Sequence, residues 1–289
     1  MGYSIRAPPA LEVRLPASSF LAAPLKNAKQ VLRARHTWAL QRAPERIFPS
    51  SWRTGPPDFV GVGVQRSGTT WWYGAIEAHP EVHRVPGAPK ERQFFEPFHA
   101  EPFTVASVER YHRLFPRPPG MVTGEWSPAY VYHYWTPRLL ALAAPEARLL
   151  VLLRDPVERY LSAVTGDARN KRRSHRRASE AFERGLYFAQ LSRLLEHFDR
   201  EQVLVLQYER CRERPEEELR RTYAFLGLGD VAFVPDILHR GVNVTRTPKL
   251  ELGEELLTSL REGYRRDAEA LFTAFPELDP ALWRALDPS

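Results

Sequence analysis

Residues 59–72 read FVGVGVQRSGTTWW, a run of β-branched and small residues followed by a polar loop and two tryptophans. Residues 59–64 predict a buried strand, and residues 69–79 predict a helix. A strand that turns through a short loop into a helix points backbone N–H groups and the positive end of the helix dipole at one place. The loop between them therefore predicts an anion site, such as a phosphate site.

The residue types in this loop suit an anion. Gly68 allows close approach of the backbone, Arg66 supplies a fixed positive charge, and hydroxyl donors come from Ser67, Thr69 and Thr70. The alternative is a tight turn with a threonine as the helix cap. The loop is shorter than the G-x-x-x-x-G-K-[ST] loop of nucleoside triphosphatases, and no acidic partner for Mg²⁺ is obvious. A P-loop kinase-like phosphotransferase remains the alternative function.

The rest of the chain alternates strand-like and helix-like segments. Further strands are predicted at residues 81–85, 122–126, 148–153 and 203–208, and helices at 156–164, 178–198, 215–226 and 256–275. This alternation predicts an α/β, P-loop-like three-layer fold with a central parallel sheet flanked by helices. Residues 1–55, rich in Pro, Arg and Ala, are predicted to be an N-terminal arm with a helix at 26–41, and residues 56–289 the main domain.

A second anion site is predicted after the apolar run at residues 148–153. Arg154 directly follows this strand, and Ser162 lies eight residues later, about two turns into the next helix. The alternative is a local ion pair of Arg154 and Asp155 that caps the helix. Two such loops after parallel strands predict a ligand that carries phosphates at both ends.

Composition sets limits on the function. The chain has 289 residues, 41 basic and 35 acidic, with a formal net charge of +6. Only five of the basic residues are lysines, and an arginine excess suits recognition of phosphate or sulfate, although it also serves solubility. The single cysteine, Cys211, excludes an internal disulfide. We find no apolar run of membrane-spanning length and no secretion signal, and we expect a cytoplasmic protein.

Four motifs in order resemble the PAPS-dependent sulfotransferases, where PAPS is 3′-phosphoadenosine 5′-phosphosulfate. Residues 66–71 resemble the family's 5′-phosphosulfate loop, and Arg154-Asp-Pro-x-x-Arg-x-x-Ser162 resembles its 3′-phosphate motif. Residues 90–95 (KERQFF) and 124–130 (GEWSPAY) are similar to segments of the heparan sulfate sulfotransferases, the group closest in motif pattern. The resemblance covers roughly residues 59–283.

This resemblance implies in-line transfer of a sulfuryl group from PAPS to a hydroxyl or amine, without a metal. Adenosine 3′,5′-bisphosphate would be the product. The implied catalytic residues are Glu91, as general base, and Arg66, which would neutralise the leaving phosphate; His112 and His133 are lesser candidates for the base. The alternative for Glu91 is a surface residue paired with Lys90 or Arg92. The implied PAPS-binding residues are Arg66, Ser67, Gly68, Thr69, Thr70, Trp71, Arg154, Ser162, Arg246 and Lys249.

The acceptor remains open. Lys90, Glu96 and Trp126 are expected to contact it, and Trp126 replaces a family lysine, which puts a heparan-type polyanion in doubt. Acceptors that remain are a sugar, a phenol, a lipid head group or a peptide, with carbohydrates and small molecules favoured and nucleic acid disfavoured. The basic run at residues 169–177 is expected to be a solvated loop. The aromatic residues that would build an acceptor cleft, or else belong to the core, are Trp71, Trp72, Tyr73, Phe94, Phe95, Trp126 and Tyr130. A non-catalytic anion-binding protein is a further hypothesis.

Overall fold

The computed structural model describes residues 48–169, 174–239 and 250–287, with the side chains of residues 168 and 169 left out. These residues belong to one compact unit, 43–289. The predicted helix at 26–41 lies outside the described residues, so the predicted boundary between arm and domain stays a prediction.

A four-stranded sheet forms the centre of the described chain. Its strands are β2 (Phe59–Gly63), β4 (Gly124–Trp126), β5 (Arg148–Leu153) and β6 (Val203–Gln207), in the order β4-β2-β5-β6. All three neighbouring pairs are parallel. A separate two-stranded antiparallel pair joins β1 (Arg53–Thr54) to β3 (Pro116–Arg117). The central parallel sheet is therefore confirmed.

Helices follow or connect these strands. The α-helices within the described ranges are Thr69–Glu77, Val105–His112, Thr136–Ala143, Pro156–Arg169, His175–Glu183, Tyr187–Leu195, Tyr208–Glu213, Pro215–Leu226 and Glu254–Ala274. Short 3₁₀ helices lie at Glu96–His99, Arg200–Gln202, Asp236–Leu238 and Pro280–Leu282. In the part of the chain that the structure describes, no helix combines the length and apolar character needed to cross a bilayer.

Both faces of the sheet are buried under helices. Along β5, Leu149 and Val151 pack with Leu191 and Tyr264 on one face, because side chains alternate along a strand. Leu150 and Leu152 point the other way and pack with Trp72, Tyr223 and Leu226. Two separate apolar clusters, one on each face, give the predicted three layers and explain why the strands read as continuous apolar runs.

The single helix predicted at residues 178–198 is wrong. The segment forms two helices, His175–Glu183 and Tyr187–Leu195, with a break at Gly185. A Cβ on Gly185 would come within 2.7 Å of the Tyr264 ring, so the chain turns where only glycine fits. The Asp267 carboxylate accepts hydrogen bonds from the N–H groups of Phe188 and Ala189, at 2.9 and 3.2 Å, and so stabilises the start of the second helix.

The predicted strand at residues 81–85 is also not formed. Only Val82 pairs there, in an isolated parallel bridge with Val122. The strand predicted at 122–126 is shorter than expected and begins at Gly124.

Candidate active site

The predicted phosphate loop connects β2 to the helix Thr69–Glu77. Val64 N donates to Leu152 O at 3.1 Å, which holds the start of the loop against β5. Arg66 and Gly68 both have left-handed backbone angles, with φ of +74° and +86°. A Cβ on Gly68 would lie 2.8 Å from the Tyr208 ring, so glycine is required by space as well as by conformation.

The start of this helix is open to an anion. No side chain caps it, and its first turn contains no acidic residue. Ser67 is fully buried, and its Oγ has no hydrogen-bond partner among the described residues. A buried hydroxyl without a partner is unfavourable unless a ligand completes it. Uncapped N–H groups, the helix dipole and this hydroxyl fit a bound phosphate or phosphosulfate group.

The two predicted anion loops meet at one corner. The guanidinium of Arg66 donates from Nη2 to the backbone O of Ser162 at 2.6 Å. Arg154 donates from Nη1 to the backbone O of Arg66 at 3.3 Å, and its guanidinium lies 5.1 Å from the centre of the Tyr208 ring. The structure therefore brings Arg66, Arg154 and Ser162 together, as a ligand with phosphates at both ends requires.

The alternative for the second loop, a local ion pair of Arg154 and Asp155 that caps the helix, is found in part. The Asp155 carboxylate accepts from Val157 N and Glu158 N, so this helix start is capped by its own side chain. Arg154 forms an ion pair with Glu158, at 3.0 Å. An anion at this corner would consequently contact side chains such as Arg154, because the backbone N–H groups of the helix are already used.

Lys90 and Glu91 lie at the mouth of the phosphate loop. The Nζ of Lys90 donates to Thr69 Oγ1 at 3.1 Å and to Thr70 Oγ1 at 3.3 Å. The Oε1 of Glu91 lies 3.3 Å from the same Nζ. Burial lowers the pKa of Lys90, and the charge of Glu91 opposes this shift. The ion pair of Glu91 with Lys90, which was the alternative to a catalytic role, is therefore present. Because Lys90 contacts the phosphate loop, the pair nevertheless places the carboxylate of Glu91 beside that loop.

The segment that carries Glu91 has neither helix nor strand and is held by buried side chains of β4 and of the residues directly after it. The backbone N–H of Arg92 donates to Glu125 Oε2 at 3.0 Å, and that of Gln93 donates to Ser127 Oγ at 3.0 Å. The N–H of Phe94 donates to the hydroxyl of Tyr130 at 2.8 Å. Together with the backbone hydrogen bond from Trp126 N to Lys90 O, at 3.0 Å, these contacts position Lys90 and Glu91.

Sequence reasoning missed Glu125, which is fully buried. It accepts hydrogen bonds from Tyr111, Tyr130 and Ser127 as well as from the backbone of Arg92. Burial nevertheless raises its pKa above the ordinary range. The signal was available in the GEWSPAY segment, because a carboxylate between two buried residues of a predicted strand must find partners.

Sequence reasoning also missed Glu209, next to the second loop. One oxygen accepts from Asp155 N at 2.9 Å, while Oε2 is buried without a partner among the described residues. Burial raises the pKa of this carboxyl to about 7.

The aromatic acceptor cleft expected from the sequence is not formed by the residues named for it. Trp126 is fully buried, lies directly over Gly61 and donates from Nε1 to Gly63 O at 3.0 Å. It packs against the sheet and presents no wall to an acceptor, because β4 directs its side chain into the apolar cluster. The other members are likewise buried: Trp71, Trp72, Tyr73, Phe94, Phe95 and Tyr130. The core alternative is the correct one.

The remaining predicted residues take varied places. Trp71 is buried beside Tyr208 and donates from Nε1 to Ile237 O at 2.9 Å. Glu96 is mostly buried, and burial raises its pKa, while the charge of Arg184 lowers it. His112 bonds to the carbonyl of Ala143, at the end of a helix, where it takes no part in the site. Arg246 and Lys249 lie outside the described residues.

No group of three or more His, Cys, Asp or Glu side chains in the described ranges is arranged to hold a metal ion.

Comparisons with known proteins agree with this geometry. Residues 56–240 match the family model described as a sulfotransferase domain. The mouse heparan sulfate glucosamine 3-O-sulfotransferase 3B1 is 29% identical over 188 residues, which are 60% of this chain and 46% of that protein. The human protein of the same name is 27% identical over 248 residues, which are 77% of this chain and 61% of that protein. The chain thus spans about half the length of these curated relatives.

A solved structure supports the same conclusion. The sulfotransferase from Alicyclobacillus acidocaldarius superposes with a TM-score of 0.64 at 25% identity, and the match covers 79% of this chain and 98% of that one. These findings confirm the resemblance to sulfotransferases near the heparan sulfate group, together with the α/β fold. Because the family model covers more than half of its residues, the chain belongs to the sulfotransferase domain family.

Proposed function

We propose that this chain transfers the sulfuryl group of PAPS to a hydroxyl or amine of an acceptor, with a carbohydrate as the favoured acceptor class. The observation that carries the proposal is the pair of Lys90 and Glu91 at the mouth of an uncapped phosphate loop. A cation for developing negative charge and a carboxylate for the acceptor proton then stand side by side. The similarity to heparan sulfate glucosamine 3-O-sulfotransferases, whose names specify a carbohydrate acceptor, supports the acceptor class.

The donor would bind along the corner where the two loops meet. The N–H groups that begin the helix Thr69–Glu77 and the hydroxyl of Ser67 would hold its phosphosulfate end. Arg154 and Ser162, which contact Arg66 there, would hold the 3′-phosphate end. PAPS supplies the activated sulfuryl group; the residues of this chain bind it and fix its direction.

Glu91 would act as the general base. Its Oε2 accepts a hydrogen bond from Gln93 Nε2 at 3.3 Å, and its Oε1 faces Lys90, so both oxygens are oriented. Glu91 takes the proton of the acceptor group while the acceptor oxygen or nitrogen forms a bond to sulfur. The bond from sulfur to the 5′-phosphate oxygen breaks at the same time, and adenosine 3′,5′-bisphosphate leaves.

Lys90 would stabilise the charge that moves between the sulfuryl oxygens and the leaving phosphate. The family resemblance implied this role for Arg66. In the structure, however, the guanidinium of Arg66 donates a hydrogen bond to the backbone O of Ser162. The ammonium of Lys90 contacts both threonine hydroxyls at the helix start, where the transferred group would lie. Arg66 would then contribute from the side of the 3′-phosphate.

The test is a pair of matched variants assayed with labelled PAPS and a carbohydrate panel. Glu91→Gln keeps the shape of the side chain and one of its two acceptor oxygens, and we expect a loss of about 10²- to 10⁴-fold in kcat because general-base catalysis is removed. Glu101→Gln, on an exposed residue away from the loop, is the control. Affinity for adenosine 3′,5′-bisphosphate should be unchanged in both. A Glu91→Gln enzyme that transfers sulfate at the normal rate would remove Glu91 from the mechanism.

The kinase-like alternative is tested by calorimetry in EDTA. We expect adenosine 3′,5′-bisphosphate to bind, and sulfate transfer to proceed, with the metal chelated. A requirement for ATP and Mg²⁺ would refute the proposal. The cytoplasmic location expected from the sequence stays a prediction, which cell fractionation would check.

A further inference from the structure

A cavity of about 430 Å³ lies beyond β4. It is lined by residues 132–135, which follow the GEWSPAY segment, and by Glu183, Gln190 and Arg193 from the paired helices His175–Glu183 and Tyr187–Leu195. Of the catalytic and donor-binding residues named above, only His133, a lesser candidate for the base, lines it. Its volume falls in the range of small-ligand sites, which raises the question of what it binds.

The cavity adjoins the segment that carries the proposed base. Trp135, in the lining, donates from Nε1 to Phe95 O at 2.9 Å. The guanidinium of Arg184 lies 4.0 Å from the centre of the Tyr132 ring, and its charge also lowers the pKa of Glu96. The charge of Glu91 acts on the same Glu96. Through the contact of Trp135 with Phe95, the cavity lies next to the segment that carries Glu91.

Exposed aromatic rings form one side of the cavity. The Tyr134 side chain is 70% exposed and meets the ring of Trp135 edge to face, with centroids 5.1 Å apart. Ligand pockets are commonly lined by aromatic side chains. Their flat apolar faces suit the C–H faces of a pyranose ring.

Gln190 supplies a polar group that lacks a partner. The residue is only 3% exposed, and its amide nitrogen donates to the carbonyls of Glu183 and Leu186, at 3.2 and 2.8 Å. Because two carbonyl oxygens accept from the nitrogen of the amide, the assignment of its nitrogen and oxygen is fixed. The oxygen, Oε1, has no partner among the described residues. A buried oxygen acceptor of this kind suits a ligand hydroxyl. The buried Nε of Arg193, also without a partner within the described ranges, adds a donor.

The charges of the lining argue against a polyanion. Glu183 and Arg193 have opposite charges, and His133 is neutral at physiological pH because burial lowers its pKa to about 4. Arg184, next to the cavity, is paired with Glu180 at 2.7 Å. A site for a heavily sulfated chain would need an excess of Arg and Lys. The described lining has no such excess.

We propose that this cavity is the acceptor subsite and that it binds the pyranose rings of an uncharged oligosaccharide. Tyr134 and Trp135 would stack on the sugar, Gln190 and Arg193 would bond to its hydroxyls, and the next ring would present its hydroxyl to Glu91. This inference rests on the proposed sulfotransferase function and names its substrate class.

The experiment measures binding without the donor, so that it does not depend on turnover. Calorimetric titrations of the wild-type protein would use chitotriose, cellotriose and maltotriose as neutral probes and an N-sulfated heparosan hexasaccharide as the anionic probe. We expect at least one neutral trisaccharide to bind more tightly than the anionic probe. Tighter binding of the hexasaccharide, or no neutral binding at millimolar concentration, would overturn the proposal.

Variants locate the binding. Tyr134→Ala removes an exposed ring and should weaken binding of the neutral probe by about three- to tenfold, since aromatic contacts contribute about 0.5–1.5 kcal/mol. Tyr134→Phe keeps the ring and should bind normally. Leu142→Ala, at another exposed apolar residue, is the control. Equal affinity of Tyr134→Ala and wild type would overturn the assignment. Affinity for adenosine 3′,5′-bisphosphate, measured in parallel, reports separately on the proposed function.

Discussion

Replacing Gly68 with alanine tests whether the phosphate loop is built as described. Gly68 has φ of +86°, where a residue with a Cβ costs about 1–2 kcal/mol. The added Cβ would also lie 2.8 Å from the Tyr208 ring. Ring and loop must separate by about 0.6 Å or more before ordinary van der Waals contact returns. Tyr208 also packs under the guanidinium of Arg154, so the displacement reaches both ends of the donor site.

Gly120→Ala is the matched control for this variant. Gly120 has φ of +78°, nearly the same conformation, and an added Cβ there meets nothing within 4 Å. Both variants carry the left-handed cost, and a domain of this size loses about 2–4 °C in Tm per kcal/mol. Gly68→Ala should lose more than Gly120→Ala in a calorimetric melt, because only Gly68 meets a ring.

Binding of adenosine 3′,5′-bisphosphate completes the comparison. We expect Gly120→Ala to bind as wild type does and Gly68→Ala to bind at least tenfold more weakly, since the N–H groups of the loop no longer converge on the anion. Equal melting temperatures and equal affinities for the two variants would refute the close approach of the loop to Tyr208.

Two further predictions concern buried polar groups. Ser67→Ala removes a buried hydroxyl that has no partner among the described residues. It should raise the unfolding free energy of the ligand-free protein by about 1 kcal/mol and lower the affinity for adenosine 3′,5′-bisphosphate several-fold. A loss of stability in denaturant unfolding would contradict this reasoning. Burial raises the pKa of Glu209 from 4.5 to about 7, so its stabilising contribution is complete below pH 4.5 and is lost as pH rises through 7. Glu209→Gln should therefore match wild type near pH 4 and exceed it by up to about 3 kcal/mol at pH 8. The same difference at both pH values in urea unfolding would count against this reasoning.

Much of the geometry of the two candidate anion loops could be predicted from the sequence. The strand at residues 148–153 and the helix at 215–226 are found where predicted, because a continuous apolar run and a proline-led amphipathic run have few other interpretations. The phosphate loop was predicted because strand, glycine and hydroxyl residues follow each other without interruption. The proximity of the two loops was also predicted, because both follow parallel strands that end at one sheet edge. The contact of Arg66 with the backbone of Ser162 was not predicted.

The cavity proposed for the acceptor could not be predicted, because it depends on contacts between distant segments. Trp126 and Tyr134 are both aromatic and only eight residues apart, yet one is fully buried over Gly61 and the other faces solvent. The break at Gly185 required knowledge of Tyr264, which comes from a helix much later in the chain. That break separates the two helices that line the cavity, so the error in the predicted helix also hid the cavity.

The hydrogen bonds to Glu125, Ser127 and Tyr130 have a consequence for how such a protein changes over evolution. The loop after β2 is shaped by main-chain geometry at a sheet edge. The Lys90–Glu91 segment is held by three side chains of β4 and the residues after it, besides one backbone hydrogen bond from Trp126 N to Lys90 O. Mutations among those side chains can shift Glu91 while the loop after β2 keeps its form. On the proposed mechanism, such mutations would change the choice of acceptor without rebuilding the proposed donor site.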